Sequence, residues 1–141
     1  MIKITNAPVE PGEIFRMVQQ PEYGAISLFC GLVRDHHGDY RTRYLEYEAY
    51  VPMAERVMED IVLSARERWP LGPVAVVHRI GHIDIGDTVV VIAIASEHRK
   101  EGLAAVQFII DQLKERVPIW KKEVGPDGSW WVEETNWAKD V

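Results

Sequence analysis

The side chains of this sequence that are best suited to chemistry are basic, and they lie near the ends of predicted helices and strands. Arg34 follows an apolar run, and His98-Arg99 stands where a predicted strand meets a predicted helix. Lys114 lies at the far end of that helix, and Lys121-Lys122 follows shortly after it. Basic groups on rigid elements, next to the free N–H groups of a helix N-terminus, are suited to a small anion. The pattern indicates an anionic ligand site, although each charge alone is also compatible with a solvated position.

A lysine in such a place could also take part in a reaction. A solvated lysine has a pKa of about 10.4 and is a stable cation at neutral pH. Desolvation beside Trp120, or repulsion by a second lysine, would lower that pKa and free the amine as a base or a nucleophile. Lys114 and Lys121 could form such a pair if the turn at Pro118 brings one back towards the other.

Other candidate groups give weaker signals. His78 and His82 have a spacing found between metal ligands on helices, but they fall in a strand pattern, so we predict no metal site. Cys30, the single cysteine, lies in an apolar run, which favours a buried apolar role. The sequence contains no glycine-rich phosphate loop, no Gly-x-Ser-x-Gly motif and no Cys-x-x-Cys motif. We therefore expect neither a metal nor a cofactor.

Length and composition predict a single domain over residues 1–141. This length is common for one domain, and 47% hydrophobic and 27% charged residues are ordinary proportions for a globular protein. The formal net charge of −6 argues against general nucleic-acid binding. No apolar run approaches the roughly 20 residues of a membrane span, and the first ten residues do not resemble a signal peptide. We expect a soluble, cytoplasmic protein.

The order of elements predicts an α+β fold with helices packed on a mainly antiparallel sheet. Apolar residues at helical spacing predict helices over residues 10–19, 52–68 and 99–116. Apolar or alternating runs predict strands over residues 1–5, 24–33, 44–50, 73–80 and 87–95, and two short strands around the turn at 125–128. Residues 34–43 are interpreted as a loop and residues 81–86 as a turn. The side of the last helix that is predicted to be buried carries Leu103, Val106, Ile110, Leu113 and Val117.

Five stretches, in their order along the chain, resemble the molybdopterin synthase catalytic subunit family, also called the molybdenum cofactor biosynthesis protein E family. They cover most of residues 23–133, and their combination is specific although each alone is weak. The stretches are GAISLFCGLVRDHHGD (24–39), LEYEAYVPMAE (45–55), RWPLGPVAVVHRIGHIDIGD (68–87), SEHRKEG (96–102) and IDQLKERVPIWKKE (110–123).

The resemblance implies an α/β hammerhead-type fold with a small additional antiparallel sheet. It implies a sulfurtransferase that adds sulfur to cyclic pyranopterin monophosphate, also called precursor Z, and so forms the dithiolene of molybdopterin. The sulfur would come from the thiocarboxylated C-terminus of a small ubiquitin-like subunit, which threads into a pocket on this chain. A homodimer of this chain within a heterotetramer, with one small subunit at each end, is also implied.

The resemblance further implies the site residues by position. Lys114 matches the main catalytic lysine of the family, and Lys121 matches the second one. Both also belong to the implied substrate-binding set, whose other members are Leu32, Val33, Arg34, His98, Arg99, Lys122 and Glu123. Whether Lys114 acts as base, acid or nucleophile stays open, as does whether His98 and Arg99 come from a neighbouring chain. The short C-terminal tail carries Lys139 as its only basic residue.

Two other functions fit the same residues. A docking module could bind a ubiquitin-like tail without catalysing any reaction. Another pterin-phosphate enzyme could use the same anion site without a thiocarboxylated partner. For a docking module, a change at Lys114 would leave the activity intact. Another pterin-phosphate enzyme would show turnover without the thiocarboxylated partner.

Overall fold

The computed structural model describes residues 1–131, which contain three helices and ten strands. The helices are α1 (Pro11–Val18), α2 (Val51–Arg68) and α3 (Arg99–Arg116). The strands are β1 (Ile2–Thr5), β2 (Ala25–Leu32), β3 (His36–His37), β4 (Tyr40–Arg41), β5 (Tyr44–Ala49), β6 (Val74–Arg79), β7 (Gly81–Asp84), β8 (Thr88–Ser96), β9 (Ile119–Gly125) and β10 (Gly128–Trp131). Between residues 1 and 131, no helix is long and apolar enough to cross a membrane. The single domain predicted for residues 1–141 stays a prediction, because residues 132–141, with Lys139, lie outside the described residues.

A four-stranded sheet with the order β1-β6-β8-β2 forms the centre of the fold. β1 pairs with β6 in parallel, whereas the β6–β8 and β8–β2 pairs are antiparallel. Alternate residues of β8 belong to two different core clusters: Val90 and Ile92 pack with residues of α2 and α3, and Val91 and Ala93 pack with residues of α1. Burial on both faces explains why this strand is an unbroken apolar run in the sequence.

A second sheet, with the order β10-β9-β5-β7, is entirely antiparallel. Its inner side chains, among them Leu45, Tyr47 and Ile83, share one core with α2, α3 and the first sheet. A short hairpin of β3 and β4 contacts this sheet through the rings of Tyr40 and Trp130, whose centroids are 5.7 Å apart. The predicted α+β class with mainly antiparallel pairing is therefore confirmed.

Two segments that were predicted as irregular contain short strands. Residues 34–43 include the two-residue strands β3 and β4, and residues 81–86 include the whole of the four-residue strand β7. Gly81 is the first residue of β7 and has a φ of 88°, which lets the chain leave the first sheet at Arg79 and enter the second within two residues. Runs this short carry too few residues for an alternation pattern to distinguish them from turns.

The predicted buried face of α3 is confirmed at Ile110, Leu113 and Val117 but is wrong at Leu103. Leu103, which was expected to face the core, is 58% exposed. A Cβ atom at Gly102 would lie 2.6 Å from the Ser27 hydroxyl oxygen and 2.7 Å from that of Ser96, so α3 approaches the sheet with its backbone at this point. This close approach at a glycine, rather than the largest apolar side chain, sets the rotation of the helix. The buried residues of α3 are Gly102, Ala105, Ile109, Ile110, Leu113 and Lys114.

Candidate active site at the junction of the two sheets

The last turn of α3 buries Lys114, which is only 4% exposed. Lys114 shares the inward face of the helix with Ile110 and Leu113, which both belong to the main core. A cation in the last turn of a helix is favoured by the helix dipole, whose negative end lies there. Lysine is rarely buried to this extent, and buried ionisable groups cluster at functional sites, so its burial marks a candidate functional site.

β9 directs alternate side chains into and out of the core. Lys121 and Glu123 point inwards and are 5% and 3% exposed. Lys122 points outwards, where its ammonium nitrogen lies 3.6 Å from a carboxylate oxygen of Glu46. This arrangement follows from the two-residue period of a strand. The structure therefore brings Lys121 and Glu123 to the core side, where Lys114 also lies, and leaves Lys122 on the opposite face.

Lys114 and Lys121 both approach a buried aromatic pair, Tyr47 and His78. Tyr47 on β5 lies directly opposite Lys121 on β9 in the strand register. Such cross-strand partners point to the same face, with Cβ atoms about 5 Å apart. The rings of Tyr47 and His78 meet edge to face with centroids 5.2 Å apart, and the charge of Lys114 acts on His78. Each lysine is thus near one member of this aromatic pair.

His78 is fully buried and neutral. Burial is the main reason that the pKa of His78 falls from 6.5 to about 3; the charge of Lys114 lowers it further, and the hydrogen bond to the Arg79 carbonyl opposes the change. In that bond Nδ1 lies 2.7 Å from the carbonyl oxygen. Because a carbonyl oxygen only accepts, Nδ1 must carry the proton, and Nε2 then carries a lone pair.

Acid should destabilise the folded protein partly through His78. The unfolded state takes up a proton near pH 6.5 and the folded state only near pH 3, so the unfolded state binds more protons between these values. The contribution of His78 to the free energy of unfolding is therefore complete above pH 6.5 and falls by about 1.4 kcal/mol per pH unit below it. Urea titrations at pH 7 and at pH 5 measure the free energy of unfolding. Between these two pH values, that of the wild type should fall by about 2 kcal/mol more than that of a His78→Gln variant.

The control for this comparison is the interval above pH 7.5, in which His78 keeps one protonation state in both the folded and the unfolded protein. Over that interval the wild type and the His78→Gln variant should change in parallel. Equal losses of stability in the two proteins between pH 7 and pH 5 would show that His78 is not the buried neutral group inferred from its surroundings.

The segment after β2 carries the predicted residues Leu32, Val33 and Arg34. Leu32 and Arg34 are exposed on either side of Val33, which is buried. Backbone hydrogen bonds of 2.9 and 3.1 Å join Val33 to the turn at residues 86–87 and anchor the start of the loop. The far end of the loop returns to β9 through Thr42, whose hydroxyl bonds the inward-facing carboxylate of that strand. The Arg34 side chain is therefore carried by a loop that is fixed at both ends.

His98 and Arg99 lie at the N-terminus of α3, and both are exposed. The helix from Arg99 to Lys114 corresponds to a distance of about 22 Å at 1.5 Å per residue. α3 packs along β8 and β2 and runs antiparallel to β8, so the end of α3 lies where β2 ends and β8 begins. Arg34 accordingly lies at the Lys114 end of the molecule. A single chain does not bring His98 and Arg99 to the two lysines.

Three residues of this junction were not predicted as site residues from the sequence: Tyr47, His78 and Thr42. His78 had a usable signal, since it is a polar residue within the buried run of β6. Tyr47 falls on the apolar face of β5, where its pattern is the same as that of a core residue. Thr42 gave no signal, because a small hydroxyl residue in a polar loop is ordinary.

Other parts of the described chain do not form a comparable site. Within residues 1–131, no group of three or more histidine, cysteine, aspartate or glutamate side chains is arranged to hold a metal ion. A cavity of about 630 Å³ between α1 and the start of β2, next to Phe15 and Tyr23, contains none of the predicted site residues. The buried lysines at the sheet junction are therefore the better candidate.

Comparison with known proteins gives the family. A family model described as MoaE protein matches residues 4–116, a range that includes α3 with Lys114. The chain belongs to the MoaE family. Two curated relatives of this MoaE chain are molybdopterin synthase catalytic subunits. That of Staphylococcus carnosus is 43% identical over 130 residues, covering 92% of this chain and 87% of that protein. The human one is 39% identical over 142 residues, covering 99% of this chain and 76% of that protein.

Two solved structures that match this chain have the same fold. The molybdopterin synthase of Staphylococcus aureus superposes with a TM-score of 0.89 at 40% identity, over 94% of this chain and 96% of that one. A complex of subunits 1 and 2 of the molybdopterin-converting factor from Helicobacter pylori has a TM-score of 0.78 at 21% identity, over 94% and 90% of the chains, and supports the fold alone. The family, the fold class and the enzyme class predicted from the sequence are confirmed.

Proposed function

We propose that this MoaE chain is the catalytic subunit of a molybdopterin synthase. It transfers sulfur from the thiocarboxylated C-terminus of a small ubiquitin-like subunit to precursor Z and forms the dithiolene of molybdopterin. The observation that carries the proposal is the burial of two lysines near one aromatic pair: Lys121 lies opposite Tyr47, and the charge of Lys114 acts on His78. Buried basic groups near one aromatic pair are suited to a thiocarboxylate and a phosphorylated pterin, which are both anions.

Lys114 is the proposed main catalytic group, and Lys121 is the second. A cation removed from water acts on nearby negative charge more strongly than a surface cation, because the effective dielectric constant is lower. Sulfur from the thiocarboxylate forms a bond to a side-chain carbon of the pterin, and the bond from that carbon to its oxygen breaks. The lysines stabilise the charge that develops or move a proton to the departing oxygen. Cleavage of the acyl–sulfur bond by water then leaves the small subunit as a carboxylate. Because a dithiolene has two sulfur atoms, two charged small subunits act in turn.

Four further residues of the predicted set are proposed to bind the substrate. Arg34 can hold a phosphate through two parallel hydrogen bonds. Glu123, buried on the inward face of β9, can accept hydrogen bonds from the pterin. Leu32 and Val33 supply the wall of the pocket next to Arg34. Lys122 is the least suited member of the set, because it points to the other face of the sheet.

His98 and Arg99 are proposed to complete the site of a second copy of this chain. They lie about 22 Å along α3 from Lys114, so a single protomer cannot use them at its own site. β2 offers a way to bring them close, because it is an eight-residue edge strand, AISLFCGL, without charge or proline. Such an edge is normally paired or covered. Antiparallel pairing of two β2 strands about a two-fold axis would place the N-terminus of one α3 beside Lys114 of the other protomer.

The proposed assembly is a heterotetramer, with one small subunit at each end of the homodimer. The proposed location is the cytoplasm. A reducing compartment suits both the single, partly exposed thiol of Cys30 and the thiocarboxylate of the partner.

Formation of molybdopterin from precursor Z and thiocarboxylated small subunit tests the proposed function. We expect product only when the thiocarboxylate is present, and two small subunits consumed for each product molecule. Turnover of a pterin phosphate without the thiocarboxylate would identify a different enzyme. Binding of the small subunit without any product would identify a docking module. Either result would overturn the proposal.

Lys121→Ala should reduce product formation far more than Lys122→Ala, although the two lysines are adjacent. Lys121 faces the core beside Tyr47, whereas Lys122 is paired with Glu46 on the outer face. We expect kcat/KM to fall by at least about tenfold for Lys121→Ala, since a buried hydrogen bond to a charged group is worth about 1.5–3 kcal/mol. For Lys122→Ala we expect a loss below about threefold, because exposed ion pairs contribute about 0–1 kcal/mol. Equal losses in steady-state assays would contradict the assignment of the two faces.

A further inference from the structure

Thr42 joins the loop after β2 to the inward face of β9. Its hydroxyl donates a hydrogen bond to Glu123 Oε1, and its backbone N–H donates to the Asp35 carbonyl oxygen at 2.9 Å. The next residue, Arg43, donates from its backbone N–H to the Val124 carbonyl oxygen at 2.7 Å. Thr42 itself is only 5% exposed. These contacts give Thr42 a defined position relative to the Glu123 carboxylate.

Gly125 shows how closely the segment around Thr42 lies on β9. A Cβ atom at Gly125 would be 2.7 Å from the carbonyl oxygen of Arg41, which is closer than real Cβ contacts. The backbone of residues 41–43 is therefore in direct contact with the end of β9. This backbone contact therefore holds Thr42 next to Glu123.

The carboxylate of Glu123 is held on one side only. Oε1 accepts the hydrogen bond from Thr42, whereas Oε2 is buried and has no hydrogen-bond partner within residues 1–131. Most buried polar atoms are hydrogen-bonded, so an oxygen that the described protein leaves open is available to accept from a bound molecule. Lys121 lies two residues earlier on the same face of β9. The open oxygen therefore belongs to the lysine side of the sheet.

We propose that Thr42 is a positioning residue of the sulfur-transfer site. By holding Oε1, its hydroxyl fixes the rotation of the Glu123 carboxylate and presents Oε2 to the bound pterin. Through the Asp35 carbonyl it also sets the position of the loop that carries Arg34. Thr42 acts through these residues and touches no reacting atom. The inference rests on the proposed function, because it takes precursor Z as the ligand.

The test compares Thr42→Val, Thr42→Ala and Thr42→Ser in molybdopterin formation by the assembled synthase. Valine keeps the shape of threonine without the hydroxyl, and serine keeps the hydroxyl. We expect the KM for precursor Z to rise by about tenfold for valine and alanine, and by less than about threefold for serine. We expect kcat to stay within about threefold in all of them. Loss of folded protein lowers the apparent kcat and leaves KM unchanged, so a merely structural role would give a different result.

Glu123→Gln supplies the second half of the test. If Thr42 acts through Glu123, Thr42→Val should raise KM by less than about twofold once Glu123 is already glutamine. If the valine variant does not fold, the alanine variant carries the comparison, since it removes the same hydroxyl without adding bulk. An unchanged KM in the folded variants without the hydroxyl, or effects that multiply with Glu123→Gln, would overturn the inference. If the wild type makes no product with an active partner, the proposed function has failed first, and the inference fails with it.

Discussion

Lys114→Ala should lower molybdopterin formation by about 10²–10³-fold, the loss that is typical when a proton-transfer or charge-stabilising group is removed from an active site. Lys114 is 4% exposed at the end of α3, so a cation from solvent cannot easily replace it. The measurement is single-turnover product formation from precursor Z with excess thiocarboxylated small subunit. Single turnover separates the chemical step from product release.

Two further variants separate chemistry from packing at Lys114. Lys114→Met keeps most of the buried aliphatic side chain and removes the amine. It should therefore be as inactive as the alanine variant, with a melting temperature closer to that of the wild type. Lys3→Ala removes an exposed lysine of β1 and should leave activity within about twofold. If Lys114→Ala retains the wild-type rate, Lys114 is a buried structural cation and its catalytic role is wrong.

Two inactive variants should recover activity when their protomers are mixed, if the site is shared across a dimer. Arg99→Ala and Lys114→Ala each damage both sites of a homodimer. In a hybrid dimer, one site carries both changes and the other carries neither, because the two residues of each protomer belong to different sites. Random assembly makes about half of the dimers hybrids with one intact site each, so co-expression should recover about a quarter of wild-type activity.

The matched control mixes His98→Ala with Arg99→Ala. These residues lie together at the N-terminus of α3, so every site of a hybrid receives one damaged residue and no activity should return. Recovery in the first mixture and none in the second would place the N-terminus of α3 in the site of the other protomer. An absence of recovery in both mixtures, with hybrid dimers verified by mass, would contradict the shared site.

Much of the fold could be predicted because its main elements have strong local patterns. β8 is an unbroken apolar run, since both of its faces are buried, and Pro118 ends α3 within two residues of its last helical position. The two-residue strands β3 and β4 could not be predicted, because their pairing depends on a turn and on contacts with a distant strand. Leu103 was assigned to the wrong face of α3, since the contact that orients the helix is made by a glycine.

The candidate site was less predictable, because it depends on which residues face each other. From the sequence, Lys121 and Lys122 both belong to the predicted site residues. Only the strand register shows that they lie on opposite faces of β9. The distance of His98 and Arg99 from Lys114, by contrast, follows from the predicted helix length alone. Thr42 and Glu123 lie far apart in the chain, and no local pattern indicates that they meet.

The alternation along β9 restricts how this segment can change in evolution. The backbone hydrogen bonds of a strand do not depend on which side chains they carry, so a shift by one residue would preserve the ladder. Inserting or deleting one residue between Pro118 and Lys121 would nevertheless exchange the inner lysine with the outer one and turn Glu123 towards solvent. Inserting or deleting two residues would return each side chain to its original face of the sheet. Outer positions such as Trp120 are thus open to substitution. The segment itself can change in length only by an even number of residues.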